Sequence, residues 1–443
     1  MIYTKMTGMK QLRWIPLLMV GFVMVMNYSC KDYDLYDEKK TQEINDSLMP
    51  IDSVDRNHDW ILYNSAAVTV IANDNVGAQW AKVLTADPRV STEAEVAAQA
   101  PISDGGSANL SFSYPKRLDS LFLALVDNEG LYTVTRFMPG SQQQVDFSAP
   151  LYRKQLIGYT PQPQMFVVCF EEEMPYIIDA DNDYNDIVLN LSYERTADRE
   201  IRFHVQLAAV GIDKQVAAAI RLKNFKYTDI ESITTVGNAS FNKNPQGEEV
   251  PNQILTVHKN KELLLESMND RDAVINLFCD GHWATGVLRS SDEDYGRMVR
   301  KRYNVTTGSS ESAQTMVPRE VTYVVTFKEG VSIENLNFEL LDPFIIKMFL
   351  GGIYEVHPFA YRHDNVLKEF KYDELIRIPW SLTIPYSKFR HPLEGVNIGF
   401  KKKDIMGFGA YGLRGHSFGE WSMDHNKSID WYLNEYATEN QVY

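Results

Sequence analysis

Cysteine is nearly missing from this chain, with 3 in 443 residues, which excludes a disulfide-stapled scaffold and a cysteine-rich metal centre. Basic charge is also in deficit: Lys+Arg number 44 against 59 Asp+Glu, a formal net charge of -15. Proteins that hold nucleic acid neutralise phosphates with clustered Lys and Arg, so that class is excluded as a prior. No long hydrophobic run exists. The longest, residues 15–26, is broken by Pro16 and Gly21 and is too short for a spanning helix, which needs about 20 apolar residues. There is no repeat of fixed period and no long low-complexity tract.

What is present begins with a leader. Lys5, Lys10 and Arg13 form a positive segment with no acid before Asp32, and the apolar stretch follows at once. This reads as a signal peptide over 1–29. It closes on Asn27, Tyr28, Ser29 and Cys30, a small residue directly before a cysteine, as lipoprotein processing requires, although Asn27 stands where an apolar residue is usual. Cys30 is therefore the expected lipidated residue, and the outer-membrane lipid is the first expected partner. Residues 30–57 are an acidic tether, opened by Lys31, Asp32, Tyr33, Asp34, Leu35, Tyr36, Asp37 and Glu38. It resembles the signal that sends lipoproteins of Bacteroidota-type bacteria to the cell surface, so the expected place is the outer membrane, surface-exposed.

Aromatic content of 12%, with 24 Tyr, favours strands, because flat side chains pack well on a pleated surface. In residues 58–150, short β-branched or aromatic runs at 68–72, 110–114, 121–126 and 132–137 are separated by turn residues such as Asp104-Gly105-Gly106, which predicts a small all-β domain. Residues 91–100, rich in Ala and Glu, read as its one helix. A connector punctuated by Gly158, Pro161 and Pro163 leads to a second unit, 160–443, with strands expected at 165–170, 186–193, 201–210, 217–222, 273–279, 321–327 and 382–384 and a helix around 429–435. The fold class is all-β: a small N-terminal sandwich-like domain followed by a larger β-sandwich. Cys169 and Cys279 fall in apolar runs, which suits buried thiols or one disulfide.

The densest chemical signal runs from Asp179 through Ala180, Asp181, Asn182, Asp183, Tyr184 and Asn185 to Asp186, just before Ile187, Val188 and Leu189. Four carboxylates in eight positions repel one another unless a cation compensates. Calcium does so naturally, taking roughly 6 to 8 oxygen ligands in flexible geometry. The run is not an EF-hand: counted from Asp179, Tyr184 occupies the glycine position and Asn190 the position of the bidentate Glu. The expected ligands are Asp181, Asp183 and Asp186 first, then Asp179, Asn185 and Glu171, the last supplied by the strand before the loop. Asp and Asn also make turns unaided, through side-chain to backbone hydrogen bonds.

Val168, Cys169, Phe170, Glu171 and Glu172, then the run 179–186 and its strand, resemble the signature of the LruC-domain family of bacterial surface lipoproteins. The likeness continues through Asp342-Pro343-Phe344-Ile345, Glu355-Val356-His357, Pro379-Trp380, residues 391–398, Phe418, Trp421 and Asp430-Trp431-Tyr432. Ala180 and Glu172 depart from that pattern, as does the insertion 401–409. The resemblance implies a secreted, calcium-stabilised β-domain on a lipid anchor, with no catalytic activity to carry over.

Other constellations carry less. Glu355, His357, His363 and Asp364 lie close enough to suggest a general base or part of a zinc site, and they are the only support for a hydrolase. Residues 412–419 lack the lysine of a phosphate loop. Trp283, Trp380, Trp421, Trp431 and Tyr432 would serve sugar stacking if exposed and core packing if not. The expected function is therefore a binding or adhesive module for glycan or protein, not an enzyme. The alternative is a passive structural component of a surface assembly.

Overall fold

The computed structural model describes residues 54–55, 57–141, 143–148, 152–172, 181–212, 215–241, 271–285, 302–304, 313–315, 319–349, 352–358, 360–363, 366–369, 379–399 and 409–443. Cys30, the leader and nearly all of the tether lie outside them, as does Asp179. The fold is all-β.

The first sandwich uses β1 (Tyr63–Ala72), β2 (Ala78–Leu84), β3 (Glu95–Pro101), β4 (Ser107–Pro115), β5 (Leu121–Asp127), β6 (Tyr132–Phe137), β7 (Gln144–Phe147) and the two-residue β8 (Gln162–Pro163). One sheet runs β4-β1-β7 and the other β6-β5-β2-β3-β8. Alternation drives this packing: Val68, Val70 and Ala72 of β1 are buried while their neighbours are not, and they meet Val83, Phe112, Leu123 and Phe137 in one core. Period-2 burial of this kind is what a half-buried sheet demands.

Residues 91–100 are not a helix. Glu95 to Pro101 form β3, paired with β2 on one side and with β8 on the other. Alanine favours helices when isolated, but Ala97 and Ala100 are buried against the first core, and pairing on both sides outweighs that preference.

The larger sandwich contains β9 (Met165–Phe170), β10 (Ile187–Ala197), β11 (Glu200–Val210), β12 (Val216–Lys226), β13 (Ile230–Thr235), β14 (Asp272–Phe278), the three-residue β15 (Arg302–Asn304) and β16 (Ala313–Thr315), β17 (Arg319–Phe327), β18 (Leu341–Phe349), β19 (Gly352–Val356), β20 (Ala360–His363), β21 (Val366–Glu369) and β22 (Ser381–Ile384). Sheet order is β13-β17-β11-β10-β9-β22 in one layer and β14-β12-β18-β19-β20-β21 in the other. Between them lie Phe170, Leu189, Phe203, Val205, Ala218, Ile220, Ile275 and Ile345. Cys169 and Cys279 are both buried thiols outside any disulfide, which answers the disulfide question; burial pushes the Cys279 thiol up to about 12.

The expected terminal helix is also displaced. The helix is Phe418–Met423, and residues 434–436 make only a single 3-10 turn. Ser417 accepts the Glu420 N–H as N-cap, a Ser-x-x-Glu start signal that the apolar pattern around 429–435 obscured. Here Trp421, Trp431, Tyr411 and Tyr432 are almost fully buried, with Trp60 and His58 packed on Trp421 at ring-centroid distances of 5.4 and 4.4 Å. Among the described residues no helix is long and apolar enough to cross a membrane.

Candidate metal centre

β9 and β10 pair antiparallel, with Phe170 opposite Ile187. Their register sets the neck of the hairpin: Glu171 and Glu172 leave one strand where Asp186 enters the other. β22 flanks β9 on its free side, Ser381 opposite Phe170, and the Glu171 N–H donates to the Trp380 carbonyl at 2.9 Å. The two glutamates are thereby held in place by backbone pairing, and they diverge.

Glu172 is already neutralised. Lys347 of β18 reaches across from the second sheet, and its ammonium donates to a Glu172 carboxylate oxygen at 2.6 Å, both side chains at 3% exposure or less; it also donates to the Glu172 carbonyl. Glu171 turns to the acidic loop instead. Carboxylate oxygens of Glu171, Asp181 and Asp183 lie within 4.8 Å of one another, with Glu171 and Asp183 buried and Asp181 exposed. Three hard oxygen donors converge on one point that is open on the Asp181 side.

The loop is clasped by a distant segment. The Gly395 N–H donates to Asp183 Oδ2 at 2.7 Å, and the Ile398 N–H to the Asn182 carbonyl at 2.8 Å. The Asn185 N–H donates to Asp183 Oδ1 at 3.0 Å, an Asx turn. Asn182 and Tyr184 hold φ of +56° and +54°, left-handed values that Asn tolerates and a bulky side chain adopts only at a cost of about 1–3 kcal/mol. Tyr184 is fixed there by its buried ring and by its hydroxyl, which donates to the Pro379 carbonyl at 2.7 Å.

Asp186 sits at the hairpin neck, where its Oδ2 accepts the Glu172 N–H at 2.5 Å, rather than with the convergent trio. Asn185 donates its amide N–H to the Pro392 carbonyl at 3.1 Å, and its side-chain oxygen is buried beside Gly211 without a hydrogen-bond partner among the described residues. Glu394 is the residue that sequence reading missed. It adds to the charge felt by Asp183 and Asp186, yet it lies more than two hundred positions downstream, and only the register of the 391–398 clasp could have placed it here.

Burial pushes the carboxyls of Glu171, Asp183 and Asp186 well above the ordinary range, and the neighbouring carboxylates push in the same direction: Asp186 first for Glu171, Asp181 for Asp183, Glu172 for Asp186. Such a cluster either holds protons or holds a cation.

A carboxylate–histidine group elsewhere in the larger sandwich is of a different kind. His357 Nδ1 meets Asp342 at 3.0 Å and its Nε2 meets Glu355 at 3.2 Å, while Arg221 bonds the same Glu355 oxygen at 2.9 Å. Burial alone would lower the imidazole pKa, but Asp342 and Glu355 outweigh it and hold it up. Both ring nitrogens are engaged, and the group that the sequence left as weak support for a general base or zinc site forms an ion-pair network on the outer face of β12, β18 and β19. Asp364 and the His363 side chain lie outside the described residues. A third cluster, Asp55, Asp424 and His425, joins the start of the folded unit to its C-terminal segment.

Burial decides between the two roles left open for the tryptophans and Tyr432. Trp380, Trp421, Trp431 and Tyr432 are buried, and Trp283 is only partly exposed; all four buried rings are core.

Residues 199–402, from β11 through the clasp, match the profile described as a domain of unknown function, DUF4842. No curated protein matches. Among solved structures, the chain is similar to a protein described as a lipoprotein from Bacteroides ovatus, at 13% identity and a TM-score of 0.47, covering 82% of this chain and 99% of that one.

Proposed function

We propose that the chain is a lipid-anchored surface lipoprotein whose larger sandwich is locked by a calcium ion between Glu171, Asp181 and Asp183, and that it works by binding rather than by catalysis. The observation that carries this reading is the convergence of those three carboxylates within 4.8 Å. The donors are all oxygen and two are buried, the chemistry that calcium or magnesium accepts and that zinc or copper does not prefer. When bound, the ion neutralises the loop. The chain's own part is to hold the loop open to it: β9 fixes Glu171, the Asx turn and the Gly395 N–H orient Asp183, and Lys347 keeps Glu172 out of the ligand set. The leader and Cys30 support the anchor, and the likeness to LruC-domain lipoproteins overlaps the stretch matched by the domain of unknown function.

Calorimetric titration of calcium into chelator-stripped protein tests this. Saturable binding is expected, with a thermal midpoint that rises with calcium, since a ligand at 100 times its Kd adds about 2.7 kcal/mol. Absence of binding heat together with an unmoved midpoint removes the calcium lock. The second reading, a passive component of a surface assembly, is favoured by the burial of the tryptophans; a stable envelope partner with no small ligand is its expected outcome.

A further inference from the structure

The outer face of the β10-β11-β17 layer departs from the usual solvated surface. On β10, Leu189 and Leu191 point into the core, leaving Asn190, Ser192 and Glu194 outward; on β11, Phe203 and Val205 point in, leaving His204 and Gln206 outward. Register sets them in rows, Asn190 opposite Gln206 and Ser192 opposite His204. Facing these rows across a cleft of about 590 Å3 are Trp80 and Lys82 of β2, Gln99 of β3 and the connector at 160–163. The volume lies in the range of small-molecule sites, about 300–1,000 Å3.

The side chains are tied to one another in a way that leaves groups free for a guest. Asn190 Nδ2 donates to Gln206 Oε1 at 2.8 Å, which leaves the Asn190 oxygen and the Gln206 amino group. His204 bonds Thr322 at 3.0 Å and Glu194 at 3.3 Å, and Gln99 donates to the other Glu194 oxygen at 3.2 Å. These contacts hold planar amide, carboxylate and imidazole groups at fixed orientations, as a preorganised site requires. Among the described residues of the lining Lys82 is the one ammonium, against the carboxylates of Glu194 and Glu320, so the cleft does not select for an anion. The backbone groups of this wall are already paired within the sheet, which excludes strand addition by a peptide.

We propose that this cleft binds a neutral oligosaccharide. Vicinal hydroxyls suit the fixed amides and carboxylate, and an apolar sugar face suits the partly exposed Trp80 ring. The inference rests on the reading of the chain as a surface binding module, and it replaces the buried tryptophans with a different aromatic.

The test is an array of neutral, acidic and amino oligosaccharides probed with the full chain in calcium, followed by titration of the best neutral ligand into wild type, Trp80→Ala and Gln206→Ala. Retention of a neutral oligosaccharide, weakened at least tenfold in either variant, is the expected result. Gln206 is a surface amide outside both cores, so its variant remains informative if Trp80→Ala fails to fold. No retained neutral glycan, retention of acidic glycans alone, or affinity unchanged in both variants overturns the proposal. Calcium titration of the same sample separates the two readings: calcium heat without glycan binding defeats the cleft alone, and glycan binding without calcium heat defeats the lock alone.

Discussion

At the scale of single residues, the carboxylate cluster shows how unlike neighbours become. Glu171 and Glu172 are chemically equivalent in sequence, and pairing of β9 sends one to the acidic loop and the other to Lys347. Asp181→Asn with Asp183→Asn is expected to abolish the calcium-dependent rise in thermal midpoint, measured by calorimetry in calcium and in chelator; an undiminished rise would show that the trio does not hold the ion. Tyr184→Phe removes the hydroxyl that donates to Pro379 and leaves that carbonyl without this partner, a loss of about 1 kcal/mol readable in urea unfolding. The sequence displayed the excess of carboxylates but not their division of labour. Asp186 and Asn185 read as ligands by adjacency; in the fold Asp186 also accepts the Glu172 N–H and Asn185 donates to the Pro392 carbonyl, partners more distant than the loop itself reveals.

At the scale of elements, the strands were the most legible part of the fold, because a half-buried strand writes its period into the chain. The runs expected at 165–170 and 201–210 coincide closely with β9 and β11. β3 was not legible, since its alanines carry helical preference and its pairing with β2 and β8 is non-local. β2 escaped as well, because Gln79, Trp80 and Lys82 interrupt its apolar residues. Trp80 and Lys82 line the cleft against β10 and β11, a placement visible only in the fold. Two expectations belong here. Ser417→Ala removes the cap of the helix Phe418–Met423 and should cost about 1 kcal/mol. The Glu172–Lys347 pair joins the two sheets: Lys347→Met alone should cost about 3–5 kcal/mol by leaving a buried charge, and the double variant with Glu172→Gln should recover most of that. A double variant no better than the single would show that the pair's geometry itself, not its charge balance, holds the sheets.

At the scale of the whole molecule, stability should depend on pH through buried imidazoles. Burial pulls His58 and His391 each down to about 4. His58 explains how: its Nε2 meets the Trp421 carbonyl and its Nδ1 meets the Trp60 N–H, an arrangement that only the neutral ring satisfies. An unfolded histidine titrates near 6.5, so between about 6.5 and 4 the unfolded chain holds protons that the folded chain lacks. The contribution of these two imidazoles is thus full above that window and falls as pH falls through it, by about 3 kcal/mol for each ring. Urea midpoints at several pH values should show this slope, and His58→Gln should flatten it; a slope unchanged in that variant would place the effect elsewhere.

The stitch at Asp55 has a mechanical meaning. Its N–H bonds the Ser422 carbonyl at 2.9 Å, its carboxylate bonds His425 at 2.5 Å, and the rings of His58 and Trp60 wedge beside Trp421 before the chain reaches β1. Tension applied upstream of Asp55 must therefore break this knot on the C-terminal segment before it can peel the first strand. The small sandwich is spared the opening load, and the elements that yield first under shear are those at the two ends of the folded unit.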